Sequence, residues 1–350
     1  MTTLDRHPVR DAGGEAATAP PRVTVAVSTW NRAHLVGRAL ASVLTQTFTD
    51  IEILVVDDGS TDATPEVLAR VEDRRLRIVR LEQNGGISRA RNTAIARARG
   101  EWLAFLDDDN EWAPDYLERQ LALATARPDA DVVYCRAQRR DARTGHDPIL
   151  PAAIREGRVV RHLLRGWLPL MSCALIRRSA MEAVGGVDEA LKASEDRDLW
   201  LRLAQRGDFA GTPEVLVVRH EHPGTQLSRD YTLLTRDAAA LDRKWKATVT
   251  ASLGRVAYWR WRAVLRTTAE IVRAMQAAEK GDRLEGIRSI GRMVPCLPWS
   301  IPYVARGVVL TFLGPKVYRR LVLSQSAARA RVLRLGQLGQ VRQGAREERP

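Results

Sequence analysis

Residues 51–62 read IEILVVDDGSTD. A nearly unbroken apolar run passes directly into two aspartates and a Gly-Ser-Thr turn. A strand that is apolar on both faces is buried on both faces, as in a parallel sheet covered by helices. The acids then fall at its carboxyl end, where open α/β sheets bind ligands. Upstream, VTVAVS at 23–28 is a second strand signal, and 32–45 carries Leu35, Val36, Ala39, Leu40, Val43 and Leu44 at helical spacing. Downstream, Thr64 and Pro65 open a helix as N-cap and first residue. Strands at 76–81, 102–106 and 131–135 alternate with helices at 87–99 and 114–126. The alternation predicts an α/β fold, a mainly parallel sheet flanked by helices.

The pattern continues less regularly. Residues 138–170 read as an irregular, basic inserted loop. A strand at 172–177, helices near 179–184 and 196–206, and a strand at 215–219 complete an ordered unit over 22–240.

Two more acidic clusters stand where ligands bind. Asp107, Asp108 and Asp109, with Asn110, follow the strand WLAFL directly. Adjacent carboxylates at a buried strand end repel unless donors or a cation offset them, and Mg²⁺ typically shares one or two carboxylates with substrate phosphates. A solvated acidic turn is the alternative. Glu195 and Asp196 open the helix of SEDRDLWLRLAQRG, with Ser194 as cap. The helix dipole favours acids in a first turn, so capping alone accounts for this pair. Turn chemistry alone likewise accounts for the first cluster.

Charge divides the chain. Of 350 residues, 55 are Lys or Arg and 42 Asp or Glu, a net of +13. Residues 1–240 hold 33 basic against 35 acidic residues, and 241–350 hold 22 against 7. A basic balance points to nucleic acid or an anionic membrane. The region bearing the acid clusters is net negative and contains no nucleic-acid module, so no nucleic-acid partner is expected there. Hydrophobic residues make up 45% of the chain, which excludes wholesale disorder. Cys135, Cys173 and Cys296 form no metal or disulfide spacing and suit a reducing compartment. Residues 1–21 read as a disordered leader without a signal peptide's apolar region. No apolar run is long enough for a spanning helix.

Taken in order, seven stretches resemble family 2 glycosyltransferases, inverting sugar transferases of the GT-A fold: VAVSTWNR at 25–32, SVLTQTF at 42–48, VVDDGSTD at 55–62, NGGISRARN at 84–92, GEWLAFLDDDNEW at 100–112, SCALIRRSAMEAVGGVDEAL at 172–191 and SEDRDLWLRLAQRG at 194–207. The resemblance covers roughly 22–230. It implies a Rossmann-like nucleotide-binding half and an acceptor half. Ser28 and Trp30 then lie at the nucleobase, with Trp30 stacking on it. Asp58 bonds base or ribose, and Arg89 and Arg91 belong to a basic donor-side segment with Asp108. Asp107 and Asp109 are the outer acids of the family's DxD motif and present a divalent metal, Mg²⁺ or Mn²⁺, to the donor diphosphate. Asp196 is the catalytic base, with Glu195 and Trp200 on the acceptor side. His222, in RHEHPG after the last strand, is a further candidate metal ligand. The departure is at 108 and 110, where the family often has a small residue and an acid.

The implied enzyme is a metal-dependent hexosyltransferase. It moves sugar from a nucleotide-sugar donor to a hydroxyl of a glycan or lipid-linked acceptor, in cell-surface polysaccharide or glycoconjugate synthesis. A nucleotidyltransferase on a related sheet, or nucleic-acid binding by the basic end, are the alternatives. Residues 241–323 form a basic helical region and 324–350 a tail. Over 254–280, Tyr258, Trp261, Leu265, Thr268, Val272 and Met275 share one helical stripe, beside Arg255, Arg262, Arg266 and Arg273. Trp299 to Leu313 is a second apolar segment, broken by Arg306. Two readings stand level: an interfacial element on an anionic membrane, or helices packed on the catalytic domain. The first makes the protein cytoplasmic and peripheral on the inner face of the plasma membrane.

Overall fold

The computed structural model describes residues 9–11, 19–140, 148–221 and 230–296, with isolated positions at 305, 308 and 312. In chain order the elements are β1 (Val9–Asp11), β2 (Val23–Thr29), α1 (Val36–Leu44), β3 (Ile51–Asp57), α2 (Thr64–Ala69), β4 (Leu76–Arg80), α3 (Ile87–Arg97), β5 (Trp102–Asp107), β6 (Asn110–Trp112) and α4 (Tyr116–Ala126). There follow β7 (Ala130–Arg140), β8 (Ile149–Leu150), α5 (Val160–Leu163), β9 (Ala174–Arg177), α6 (Arg178–Ala183), α7 (Glu195–Arg206), β10 (Asp208–His220), α8 (Tyr231–Lys280) and α9 (Arg283–Met293).

One sheet runs β1-β4-β3-β2-β5-β9-β7-β10-β6, with β8 beside β7. The expected parallel order holds for β4-β3-β2-β5 and returns between β7 and β10. Between these halves β9 runs antiparallel to both β5 and β7. The β2–β5 register sets Ser28 beside Asp107, so the acids of both strand ends open onto one rim. Val9–Asp11, within the stretch expected to be a disordered leader, pairs antiparallel with β4.

Side chains alternate across the sheet with period two. Val23, Val25 and Val27 of β2 and Ile53 and Val55 of β3 pack under α1 and α4. Ala26, Leu54 and Val56 face the other way, toward α3, α6 and α7. The same second cluster takes in Leu241, Trp245, Val249, Tyr258, Trp261 and Leu265 of α8, so the Arg-rich helices share the core of the sheet domain. Helix α8 breaks at Gly254, whose φ of 84° and ψ of 169° are not helical. Among the described residues no helix is long and apolar enough to cross a membrane.

Candidate active site

The loops after β2 and β3 are built from each other's side chains. Asn31 adopts a left-handed backbone, φ 52°, which a short polar residue tolerates. Its Oδ1 accepts the N–H groups of Thr61 at 2.7 Å and Asp62 at 3.2 Å, and its own N–H donates to Ser60 Oγ at 2.9 Å. Asp57 Oδ1 accepts the Ser60 N–H at 2.9 Å and closes the turn. Gly59, φ 71°, lies so close to the next loop that a Cβ would stand 2.7 Å from the Gln83 carbonyl carbon. Asp58 clamps that loop from below, accepting the N–H groups of Gly85 at 2.8 Å and Gly86 at 2.7 Å. Burial pushes the Asp58 carboxyl above its ordinary range, against these bonds and the nearby Arg89.

Together the loops wall a cleft of about 410 Å³ lined by Ser28, Trp30, Asn31, Asp58, Gly86 and Asp108, among others. Trp30 is 46% exposed there, an open aromatic surface of the kind that stacks on a planar ligand. A second cleft, about 230 Å³, shares Ser28, Arg32, Ile87 and Asp108 with it. Its remaining walls include Arg91, Asp107, Asp109, Glu195, Asp196 and Arg219. A cleft with one exposed aromatic therefore adjoins, and through Asp108 shares, a cluster of five acids.

Each acid is held differently. Asp107 receives Arg91 Nη2 at 2.9 Å and the Ser172 hydroxyl at 3.0 Å, and Asn110 Nδ2 lies at 3.3 Å. Asp108 accepts the Thr29 hydroxyl at 2.8 Å. Burial pushes Asp108 up to about 7, and the negative charges of Asp109 and Asp107 add to this. The Asp109 carbonyl accepts Arg38 Nη2 at 3.2 Å. Glu195 accepts Arg91 Nη1 at 2.7 Å, and burial pushes it up to about 7 against the pull of that guanidinium. Asp196 is also raised by burial, with Arg197 and Arg91 opposing. A carboxylate whose proton affinity is raised is a better general base at neutral pH.

The head of α7 is fixed from an unexpected side. Ser194 makes no side-chain cap bond. Instead Asp237 of α8, fully buried, accepts the N–H groups of Lys192 at 2.8 Å, Ala193 at 2.7 Å and Ser194 at 3.1 Å. Lys192 Nζ in turn donates to the Gly85 carbonyl at 3.2 Å. The loop that delivers Glu195 and Asp196 is thereby tied both to α8 and to the turn held by Asp58.

The structure gathers Ser28, Trp30, Asp58 and Asp108 in the first cleft and Arg91, Asp107, Asp108, Asp109, Glu195 and Asp196 in the second. Arg89 stands beside Asp58. Two expectations change. Trp200 does not face an acceptor: it is fully buried in the core, its indole N–H on the Pro169 carbonyl at 3.0 Å and its ring edge-on to Phe209. Arg91, expected on the donor side, is 5% exposed with both guanidinium arms on acids. His222 lies outside the described residues. Sequence reading missed Thr29, Ser172 and Asp237. The first two are small hydroxyls inside quoted motifs, whose type alone gives no sign of a role, and the third lies inside an ordinary-looking helix.

An α/β sheet with an aromatic, loop-walled cleft beside an acidic rim defines the GT-A class of fold. Solved structures agree. TarS 1–349 of S. aureus, in complex with UDP-GlcNAc, superposes with a TM-score of 0.57 at 18% identity, over 88% of this chain and 92% of that one. The mannosyltransferase PcManGT of Pyrobaculum calidifontis, in complex with GDP-Man and Mn²⁺, gives a TM-score of 0.52 at 22% identity, over 83% and 87%. Residues 24–185, a little under half of the chain, match the family model described as Glycosyl transferase family 2. The succinoglycan biosynthesis protein ExoO of Rhizobium meliloti is 43% identical over 106 residues, 30% of each chain. This chain thus spans about a third of that curated relative's length.

Proposed function

We propose that the protein is an inverting glycosyltransferase that moves a sugar from a nucleoside-diphosphate donor to a hydroxyl of a glycan or lipid-linked acceptor. The pathway we infer is synthesis of a cell-surface polysaccharide or glycoconjugate. The observation that carries the reading is the adjoining pair of clefts, one fitted to a nucleoside and one lined by Asp107, Asp108, Asp109, Glu195 and Asp196. The succinoglycan relative and the nucleotide-sugar complexes of the two structural neighbours support it. The basic residues of 241–350 support an anionic membrane surface as the place of work.

In the displacement, the acceptor oxygen bonds to the anomeric carbon as the bond to the donor phosphate breaks, and the electron pair leaves on the diphosphate. The acceptor proton passes to the Asp196 carboxylate. Trp30 and the Asp58 loop orient the nucleoside, while Arg91 fixes the acids of both segments relative to one another. Crowded carboxylates at Asp107, Asp108 and Asp109 fit a divalent cation. Among the described residues no group of three His, Cys, Asp or Glu side chains could hold an ion by itself, and Mg²⁺ typically takes only one or two protein carboxylates beside substrate phosphates. Asp107 and Asp109 would hold Mg²⁺ or Mn²⁺, which would supply charge neutralisation to the departing diphosphate.

The test is Asp196→Asn assayed by nucleoside diphosphate release across a panel of nucleotide sugars. Turnover should fall by about 10²–10⁴-fold, with donor affinity by calorimetry unchanged. Turnover near wild type refutes the base, and pyrophosphate as the product refutes the reaction class.

A further inference from the structure

We propose that the outward face of α9 docks on an anionic lipid surface, with Leu284, Ile287 and Val294 entering its apolar boundary. At helical spacing Leu284, Ile287, Gly291 and Val294 fall on one face. All four are exposed, Leu284 at 58%, Ile287 at 46% and Val294 at 47%. The opposite face, buried where α9 packs on α8, is Gly286, Ser289 and Met293. The Ser289 hydroxyl is buried there without a hydrogen-bond partner. A helix on the surface of a water-soluble domain turns its large apolar residues inward and its serines outward. Here three large apolar residues face outward and Ser289 faces inward, with Met293 the one buried large apolar residue of the helix, which fits a helix whose outer side meets an apolar medium.

Charge selects the medium. Arg288 lies about 40° round the helix from Leu284, its side chain 59% exposed, and Arg283 is exposed just before it. Among the described residues, seven of the ten large exposed apolar side chains fall between Val256 and Phe312. That region belongs to the stretch with 22 basic against 7 acidic residues. Two copies of so basic a surface repel, whereas anionic headgroups attract it while the acyl boundary receives the apolar stripe. The inference stands on α9 and independently of the sugar-transfer reading, to which it adds a lipid-linked acceptor presented at the same surface.

The full chain is sedimented with phosphatidylcholine vesicles, with and without about 30 mol% phosphatidylglycerol. It should bind the anionic vesicles and release as salt is raised. Leu284→Ser/Ile287→Ser/Val294→Ser should reduce binding about tenfold or more, with Tm unchanged. Equal binding by the triple variant, or none by the wild type, overturns the proposal. A wild-type dimer that the triple variant turns into a monomer, without vesicle binding, assigns the face to a second copy instead. A Tm several degrees lower in the triple variant assigns it to another segment of this chain, and overturns the proposal too. Donor binding by calorimetry is indifferent to all of these results, so failure here leaves the active-site reading standing.

Discussion

Replacing Asp237 tests whether the C-terminal helices are part of the catalytic apparatus. Its carboxylate receives three consecutive N–H groups, at 2.7 to 3.1 Å, from the loop that ends at Glu195. Hydrogen bonds to a buried charge contribute about 1.5–3 kcal/mol each but are not additive. Removing the buried acceptor leaves three part-buried donors unpaired, so Asp237→Ala should destabilise the fold by about 3–5 kcal/mol. For a chain this size that is a Tm loss of roughly 4–7 °C. Asp237→Asn keeps an oxygen but not the charge, and should cost about 1–2 kcal/mol. The catalytic effect is separate from the stability effect. With the loop released, Asp196 is displaced relative to the donor, and about 1 Å of misplacement costs on the order of 10²-fold. The assay is kcat and KM well below the lower Tm, with donor affinity measured in parallel. kcat should fall about 10–100-fold for alanine and less for asparagine, while donor affinity holds. A folded Asp237→Ala enzyme with wild-type kcat would refute the reasoning, whatever its Tm, because Asp237 would then support the fold and nothing more.

Two other perturbations have defined outcomes. Arg91→Lys retains the charge, but one ammonium cannot bridge Asp107 and Glu195 as the guanidinium does at 2.9 and 2.7 Å. Turnover should drop by roughly 10²-fold, and Arg91→Met should also lose about 3–5 kcal/mol by leaving the buried Glu195 without its partner, while Asp107 keeps Ser172 and Asn110; a fully active lysine variant sinks the bridging role. Glu52 offers a pH test away from the site: burial raises its pKa, but bonds from Thr24 at 2.6 Å and from Arg99 at 2.6 and 2.8 Å outweigh that and hold it below the ordinary value. A depressed folded pKa stabilises the protein above the unfolded value of about 4.3 and loses that contribution as pH falls through the folded value. Urea melts should therefore show Glu52→Gln less stable than wild type at pH 7 and nearly equal near pH 3, and a pH-independent gap contradicts the assignment.

What the sequence made legible was local. The apolar runs at 51–56 and 102–106 located their strands within a residue or two, and the acids after them were where strand ends place ligands. Period and charge are properties of neighbouring residues. They carry no signal for the partner of Arg91, which lies 104 residues away at Glu195. They carry none for Asp237, which holds the loop before α7 while Ser194 makes no side-chain cap bond. Trp200 illustrates the converse: an aromatic four residues from Asp196 reads as a neighbour of the site, yet packing against Phe209 and Pro169 takes it into the core.

The stripe on α8 shows where such reading stops for physical reasons. An apolar face has the same period whether protein or lipid covers it. Tyr258, Trp261 and Leu265 are buried in the sheet domain's own cluster, so for them the covering surface is protein. Two of the arginines beside them are engaged within the helical region, Arg262 with Asp242 at 3.1 Å and Arg273 with Glu285. That half of the α8 stripe is therefore accounted for by intramolecular packing, and the second apolar segment, 299–313, lies outside the described residues apart from 305, 308 and 312. The basic excess still has no acidic counterpart in the chain, and on α9 the buried and exposed faces are the reverse of those on α8. The lipid contact proposed above is consequently a property of Leu284, Ile287 and Val294 and not of the aromatic stripe.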